Sequence, residues 1–190
     1  MPRRVFEFEA PDRFVAGTIG QPGSRTFYLQ AREGKRIVSV VIEKVQVELL
    51  ATRLRQLLVE VRARGADVPD DPSEADLDTA PLDEPLNEVL RVGTMAIIWD
   101  GDDDSVIVEA RQLTVEDEDE ADDEADEIDD AEDDAEDSDV VRVHLDPGKA
   151  LAFALQALSV VAAGRPPCPF CGQPLNPEGH ICVRRNGFMH

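Results

Sequence analysis

The stretch CPFCGQPLNPEGHIC, from Cys168 to Cys182, holds all three cysteines of the chain and His180, one of its three histidines. Cys168 and Cys171 stand three positions apart with Gly172 just after, the CPFCG pattern of a zinc knuckle. Such a turn puts two thiolates on one ion while backbone amides point toward the sulfurs. His180 and Cys182 are separated by one residue, and in extended backbone such neighbours point to the same face. Asn176, Pro177 and Gly179 supply the turn that brings this second pair back to the first. Together the four form a tetrahedral Cys3His set, whose soft and imidazole donors select zinc over magnesium or calcium. Four protein ligands leave no position for water, so the expected zinc is structural, a staple for a tail too short to fold alone. The second pair is the less constrained half, and His190 is the alternative to His180 as fourth ligand. The competing readings are a redox-active dithiol and simple exposed thiols. Against them, this CxxC does not follow a strand in a βαβ pattern, and a second ligand pair lies close by.

The other constellations are weaker. DGDDD (100–104) alternates Asp100, Asp102 and Asp104 as a calcium loop does, but Ser105 stands where glycine is required. Arg111 occupies the place of the final glutamate, so an acidic hairpin turn is the expectation. His144 alternates with Val143 and Leu145 and is expected to be solvated on the outer face of a strand. The sequence contains no nucleophile elbow, P-loop or dinucleotide fingerprint, and no catalytic residue is assigned.

The elements that must position these residues are partly hidden by charge. The 190 residues carry a formal charge of −22. Residues 116–139 hold 18 acidic and no basic side chains, and residues 66–88 hold 9 more. Outside these inserts, 14 acidic residues face 19 basic ones, so the body is mildly basic. Around the inserts, FVAGTIG (14–20), TFYLQAR (26–32) and RIVSVVIE (36–43) read as strands of an antiparallel meander, preceded by an alternating Phe6–Phe8 strand. A helix follows, with apolar residues at 47, 50, 54, 57, 58 and 61, Arg62 and Arg64 in its last turn and Gly65 just beyond. The order then recurs. RVGTMAI (91–97) matches VAGTIG, with Gly93-Thr94 against Gly17-Thr18. SVIVEAR (105–111) matches TFYLQAR, with Glu109-Ala110-Arg111 against Gln30-Ala31-Arg32. VRVHLD (141–146) matches VSVVIE (38–43), ending on Asp146 where the first copy has Glu43. A second helix is capped by Asp146, begins at Pro147 and stops at Gly164. Arg32 and Arg111, equivalent in the two copies, are expected to pair with Glu43 and Asp146.

The expected fold is therefore α+β: an antiparallel sheet from two β-β-β-α units, two packed helices and a C-terminal zinc-knuckle tail. Residues 1–65 are the first unit, 66–88 an acidic, Pro-rich linker, 89–164 the second unit and 165–190 the tail. The tract 116–139 becomes an insertion in a hairpin loop, leaving at one edge of the sheet, and its self-repulsion predicts disorder. Its simplest role is solubility. Docking onto a basic partner, or mimicry of nucleic acid, is the sharper one.

Location follows from what is missing. MPRRVFEFEA lacks the apolar region of a secretory signal. The segment 150–163 is too short to span a bilayer and is broken by Gln156 and Ser159. An odd number of cysteines argues against a secreted disulfide framework. A soluble, cytoplasmic protein with no membrane association is expected.

The opening MPRRVFEFEAPDRFVAGTIGQPGSRTFYLQAR and the close AAGRPPCPFCGQPLNPEGHIC resemble an actinobacterial family without assigned activity, domain of unknown function 3090. The resemblance covers nearly the whole chain outside the acidic inserts, and it implies no catalytic residues. Members of that family are typically encoded beside a histidine-phosphatase-like protein and a kinase-like protein, so the resemblance implies a phosphatase-like or kinase-like protein partner. The function expected is a non-enzymatic binding or adaptor role. The alternative is an accessory enzyme acting on a small or phosphorylated substrate in a cleft between the two halves. The third reading is nucleic-acid binding through Arg165, Arg184 and Arg185 beside the zinc site. The acidic inserts oppose it, because they repel phosphates.

Overall fold

In a chain of alternating apolar and polar residues, each strand presents one face to a core and one to the outside. Strand β3 (Thr26–Glu33) shows it: Phe27, Leu29 and Ala31 are buried on one face, and Tyr28, Gln30 and Arg32 occupy the other. The computed structural model of the protein describes residues 3–73, 76–114, 138–164 and 168–170. The elements run β1 (Val5–Phe8), β2 (Arg13–Ile19), β3, β4 (Arg36–Ile42), α1 (Lys44–Ala63), β5 (Glu88–Asp100), β6 (Ser105–Gln112), β7 (Val140–Leu145) and α2 (Pro147–Ala162). A leading strand is thus followed by β-β-β-α twice, the order read from the sequence.

The seven strands form one sheet in the order β1-β7-β6-β5-β4-β3-β2. The sheet is mixed rather than antiparallel. β4 pairs with β5 in parallel, and so does β1 with β7. The reason lies in the tandem arrangement: α1 carries the chain back along the sheet, so the next unit must begin in the direction in which the last one ended. A meander signal inside each unit says nothing about the seam between units.

Each helix is placed by its own ends and stripe. Glu43 and Gln46 make a reciprocal capping box at the start of α1, and Val47, Leu50, Ala51, Leu54, Leu58 and Val61 form its buried face. Gly65, at φ 103°, takes the left-handed conformation that ends the helix. The side chain of Asp146 accepts from Lys149 N (2.9 Å) and caps α2, with Pro147 in the first turn. Both helices pack on the same sheet face, and Leu29, Val40, Val108 and Val143 join Leu54, Phe153 and Ala157 in one core cluster.

Pairing register tests the internal match residue by residue. Gln30 lies between Val15 and Ser39, and Glu109 lies between Ala96 and Arg142. The expected correspondences of Gln30 with Glu109 and of Val38 with Val141 therefore hold. That of Gly17 with Gly93 does not, because the position equivalent to Gly17 is Ile98. Gly93 and Thr94 instead sit in a register shift between Val92 and Met95, where Gln46 Nε2 donates to Gly93 O at 2.8 Å. Gly17 serves a different need, since a Cβ there would lie 2.6 Å from Leu82 Cγ.

The sheet must be strongly rolled. β1 and β2 lie at opposite edges, yet only residues 9–12 join them. Such a link reaches at most about 18 Å, whereas six interstrand spacings in a flat sheet come to about 29 Å. Contacts across the gap agree: Arg36 of β4 donates to Glu7 O and lies 4.0 Å over the Phe8 ring, and Ala10 N donates to Glu33 Oε1 (2.9 Å). α2 covers the remaining opening. Its Gln156 accepts from Ala16 N (3.1 Å) and donates to Ala16 O (2.7 Å), satisfying the edge of β2 as another strand would. The glutamine that interrupts an apolar helix is thereby explained.

The acidic tract falls in the β6–β7 connection, as expected of a hairpin insert. Neither strand is an edge strand, so it leaves from the end of interior strands rather than at the sheet's edge. Its last two residues belong to the fold. Ser138 and Asp139 are buried, and the Asp139 carboxylate accepts from Arg4 N (2.8 Å), Nε (2.8 Å) and Nη2 (2.5 Å). These bonds hold the Asp139 carboxyl below the ordinary carboxylate range and raise Arg4. Removing residues 116–137 should leave the thermal midpoint unchanged or slightly raised, because shortening a loop lowers closure entropy by at most about 2 kcal/mol. Removing 116–139 also deletes the Asp139 clamp and should lower it. Thermal unfolding of the two deletions followed by circular dichroism makes the comparison.

Candidate functional site

Of the four expected zinc ligands, Cys168 lies within the described residues, where it is buried. Cys171, His180, Cys182 and the alternative His190 lie outside them, as do Arg165, Arg184 and Arg185. The segment that carries Cys168 leaves from the end of α2, which Arg25 of the β2–β3 turn ties down by donating to Ala163 O at 2.8 Å. Among the described residues no group of three or more His, Cys, Asp or Glu side chains is placed to hold a metal ion.

The sheet face away from the helices carries two polar centres, one in each unit. In the second unit, Glu109 of β6 is buried and meets Arg142 of β7 at 2.6 Å and Arg111 at 3.3 Å. Arg142 also reaches Glu7 of β1 (3.3 Å), and His144 Nε2 lies 2.9 Å from Glu7 Oε1. For Arg142, burial lowers the pKa, but the bond to Glu109 and the charges of Glu109 and Glu7 outweigh it and the pKa is raised. His144 is thus bonded to a carboxylate and not simply solvated.

In the first unit the corresponding face is covered by the connection that follows α1. Residues 76–87 cross β2, β3 and β4 as a strap. Arg13 of β2, with only 6% of its side chain exposed, grips it. Its Nε and Nη2 donate to the two Asp78 oxygens at 2.5 and 2.9 Å. Nη2 also donates to the carbonyls of Ala80 (2.9 Å) and Pro81 (3.0 Å). Asp83 lies 3.2 Å from Arg13 and 3.0 Å from Arg32. Gln30, 1% exposed, accepts from Asp83 N (2.7 Å) and donates to Asp83 O and Ser39 Oγ (3.0 Å each). The bond from Arg13 is the main cause that holds the Asp78 carboxyl below the ordinary range, against the opposing effect of burial. The same bond raises Arg13.

These contacts correct the expected pairing of the two equivalent arginines. Arg32 meets Asp83 and Arg111 meets Glu109, while Glu43 pairs with Arg91 (3.0 Å) and Asp146 with Lys149 (3.8 Å). Glu43 and Asp146 lie at helix starts, beyond the strand ends, and the arginines point across the sheet's outer face. The strap's order was not visible either, because acidic, Pro-rich sequence reads as a linker. The available signal was the pair Asp78 and Asp83 flanking TAPL, beside a polar Gln30 in a strand. DGDDD forms the β5–β6 turn, with Asp100 Oδ1 accepting from Asp102 N (3.0 Å) and Asp104 at φ 48°.

Between the strap, β2 and the start of α2 lies a cleft of about 80 Å³. Asp12, Arg13, Asp78, Lys149, Phe153 and Gln156 contribute to its walls, so both units and the strap meet there. Lys149 Nζ donates to Pro11 O at 3.2 Å across it. Its volume suits a few waters. Neither described helix is long and apolar enough to cross a membrane.

No curated protein and no solved structure matches the chain. Residues 6–182 match the model of a family described as a protein of unknown function, DUF3090, and the chain belongs to that family.

Proposed function

We propose that the protein is a non-enzymatic binding or adaptor protein whose C-terminal segment is held by a structural zinc ion on Cys168, Cys171, His180 and Cys182. The observation that carries this reading is how the charged groups on the sheet are used. Arg13, Arg32, Arg111, Arg142 and His144 each bond to a carboxylate of the same fold, and all but Arg111, whose partner Glu109 is on its own strand, tie strand to strand or strand to strap. The cleft of about 80 Å³ is well below the roughly 300 Å³ at which small-molecule sites begin. Zinc follows from the donor types and their spacing. The partner is a protein, with a phosphatase-like or kinase-like one first to be tried, and the compartment is the cytoplasm, where thiolates stay reduced.

Metal analysis of the purified chain should give one zinc per molecule with its thiols protected from titration until a chelator is added. Cys171→Ser should lose the zinc and leave the main unfolding transition nearly unchanged. A chain without stoichiometric zinc and with freely reacting thiols would sink the metal assignment. Capture from the native host tests the adaptor role. A second reading, an accessory enzyme for a small phosphorylated substrate, is favoured by one observation: the cleft joins both units beside Lys149 and a depressed Asp78 carboxyl. Chemical-shift changes at Lys149 and Gln156 on adding a simple phosphomonoester would support it, and unmoved resonances would remove it.

A further inference from the structure

The two units differ in how they satisfy their outer faces. In the second, the buried Glu109 is answered within the sheet by Arg142 and Arg111. In the first, Gln30 and Arg13 take most of their partners from the strap: two carboxylates, the carbonyls of Ala80 and Pro81, and the amide of Asp83. Gln30 engages both the N–H and the C=O of Asp83, which is how a neighbouring strand reads extended backbone whatever its side chains. Arg13 and Arg32 add selectivity for carboxylates at Asp78 and Asp83. Gly17 leaves room for Leu82, the apolar residue just before the second carboxylate.

We propose that this face of β2, β3 and β4 is a recognition groove for an extended acidic peptide, and that residues 78–83 are its occupant in cis. The proposal rests on the binding-protein reading above and names the chemistry of the partner: two carboxylates five residues apart, the second preceded by an aliphatic side chain. The strap is seated mainly by charged and polar bonds, and its Leu77 is half exposed. A segment held this way opens more readily than one sunk in the core. A matching segment of another chain then competes for the same donors.

The test uses the full chain carrying Asp78→Asn and Asp83→Asn, which weakens the strap and leaves the sheet side chains in place. A labelled peptide of residues 76–87 should bind this variant saturably, and salt should weaken the binding. The same peptide with Asp78 and Asp83 changed to asparagine should bind about tenfold more weakly, from the loss of charge-assisted bonds. A folded variant that binds neither peptide, or both alike, overturns the proposal. Should the variant not fold, hydrogen exchange of the wild-type chain decides. An excess of the aspartate peptide should speed exchange at the amides of Ala80 and Asp83, and unchanged rates overturn the groove. The adaptor reading fails separately, because capture of a host partner by a chain whose groove binds no peptide would leave it standing.

Discussion

Arg13→Met should lower the unfolding free energy by about 3 kcal/mol, read as a shifted urea midpoint, since the buried guanidinium makes several charge-assisted bonds to part-buried carboxylates and carbonyls that lose them together. Methionine keeps much of the apolar stem, so the loss reports the guanidinium. Without it, Asp78 loses its bonded cation and keeps only the more distant charge of Arg32, Asp83 keeps only Arg32, and the carbonyls of Ala80 and Pro81 lose their donor. Asp78→Asn should cost less, about 1–2 kcal/mol, because the neutral amide can still accept from Arg13. The pH dependence has a definite sign. The Asp78 carboxyl is depressed below its ordinary 3.8 by Arg13, so its contribution is fully present above that value and is lost as pH falls through the depressed one. In Arg13→Met this part of the acid sensitivity should shrink, leaving the smaller share that the Ala80 amide and the Arg32 charge supply, which distinguishes loss of the ion pair from loss of packing. A change of less than about 0.5 kcal/mol, the range of ordinary surface substitutions, would show that the strap adds nothing to the fold.

That the strap matters at all was not legible in the sequence. Composition predicts behaviour only where residues act on water, and Asp78 and Asp83 act on two arginines more than fifty positions away. Local periodicity carried further. The stripe through Val47, Leu50, Leu54 and Leu58, the cap at Asp146 and the matched order of the two units were all readable, because each depends on neighbours within a few positions. Topology was readable within a unit and not between units, since no short-range signal says that β5 lies parallel to β4. The glycines teach the same lesson. Gly17 and Gly93 look equivalent in their strings, yet one admits Leu82 and the other marks a register shift. The tail is the reverse case: its donor types and spacing carry a chemical argument that needs no neighbours, so zinc is an expectation of the string itself, with Cys171, His180 and Cys182 outside the described residues.

The rolled sheet supplies the second large effect. Phe153 of α2 is 3% exposed and stacks on Phe14 of β2, with ring centroids 4.4 Å apart and planes at 25°. Phe14 comes from one end of the strand order, and α2 follows β7 near the other. In a flat sheet these rings would be more than 20 Å apart at roughly 4.8 Å per strand. The stack exists because the short link through residues 9–12 forces the edges together and α2 fills the opening. Phe153→Ala should therefore cost about 4 kcal/mol, the transfer and cavity terms of a buried phenylalanine plus the aromatic pair. The exposed Val59→Ala should stay within about 0.5 kcal/mol as a control. The cavity opens beside Gln156, so its bonds to Ala16 should loosen as well, and hydrogen exchange at Ala16 on the edge strand should rise more than at its partner Leu29 on the interior strand β3. A loss nearer 1 kcal/mol with Ala16 still protected would mean that the link and the Gln156 bonds hold the roll closed without help from the ring stack.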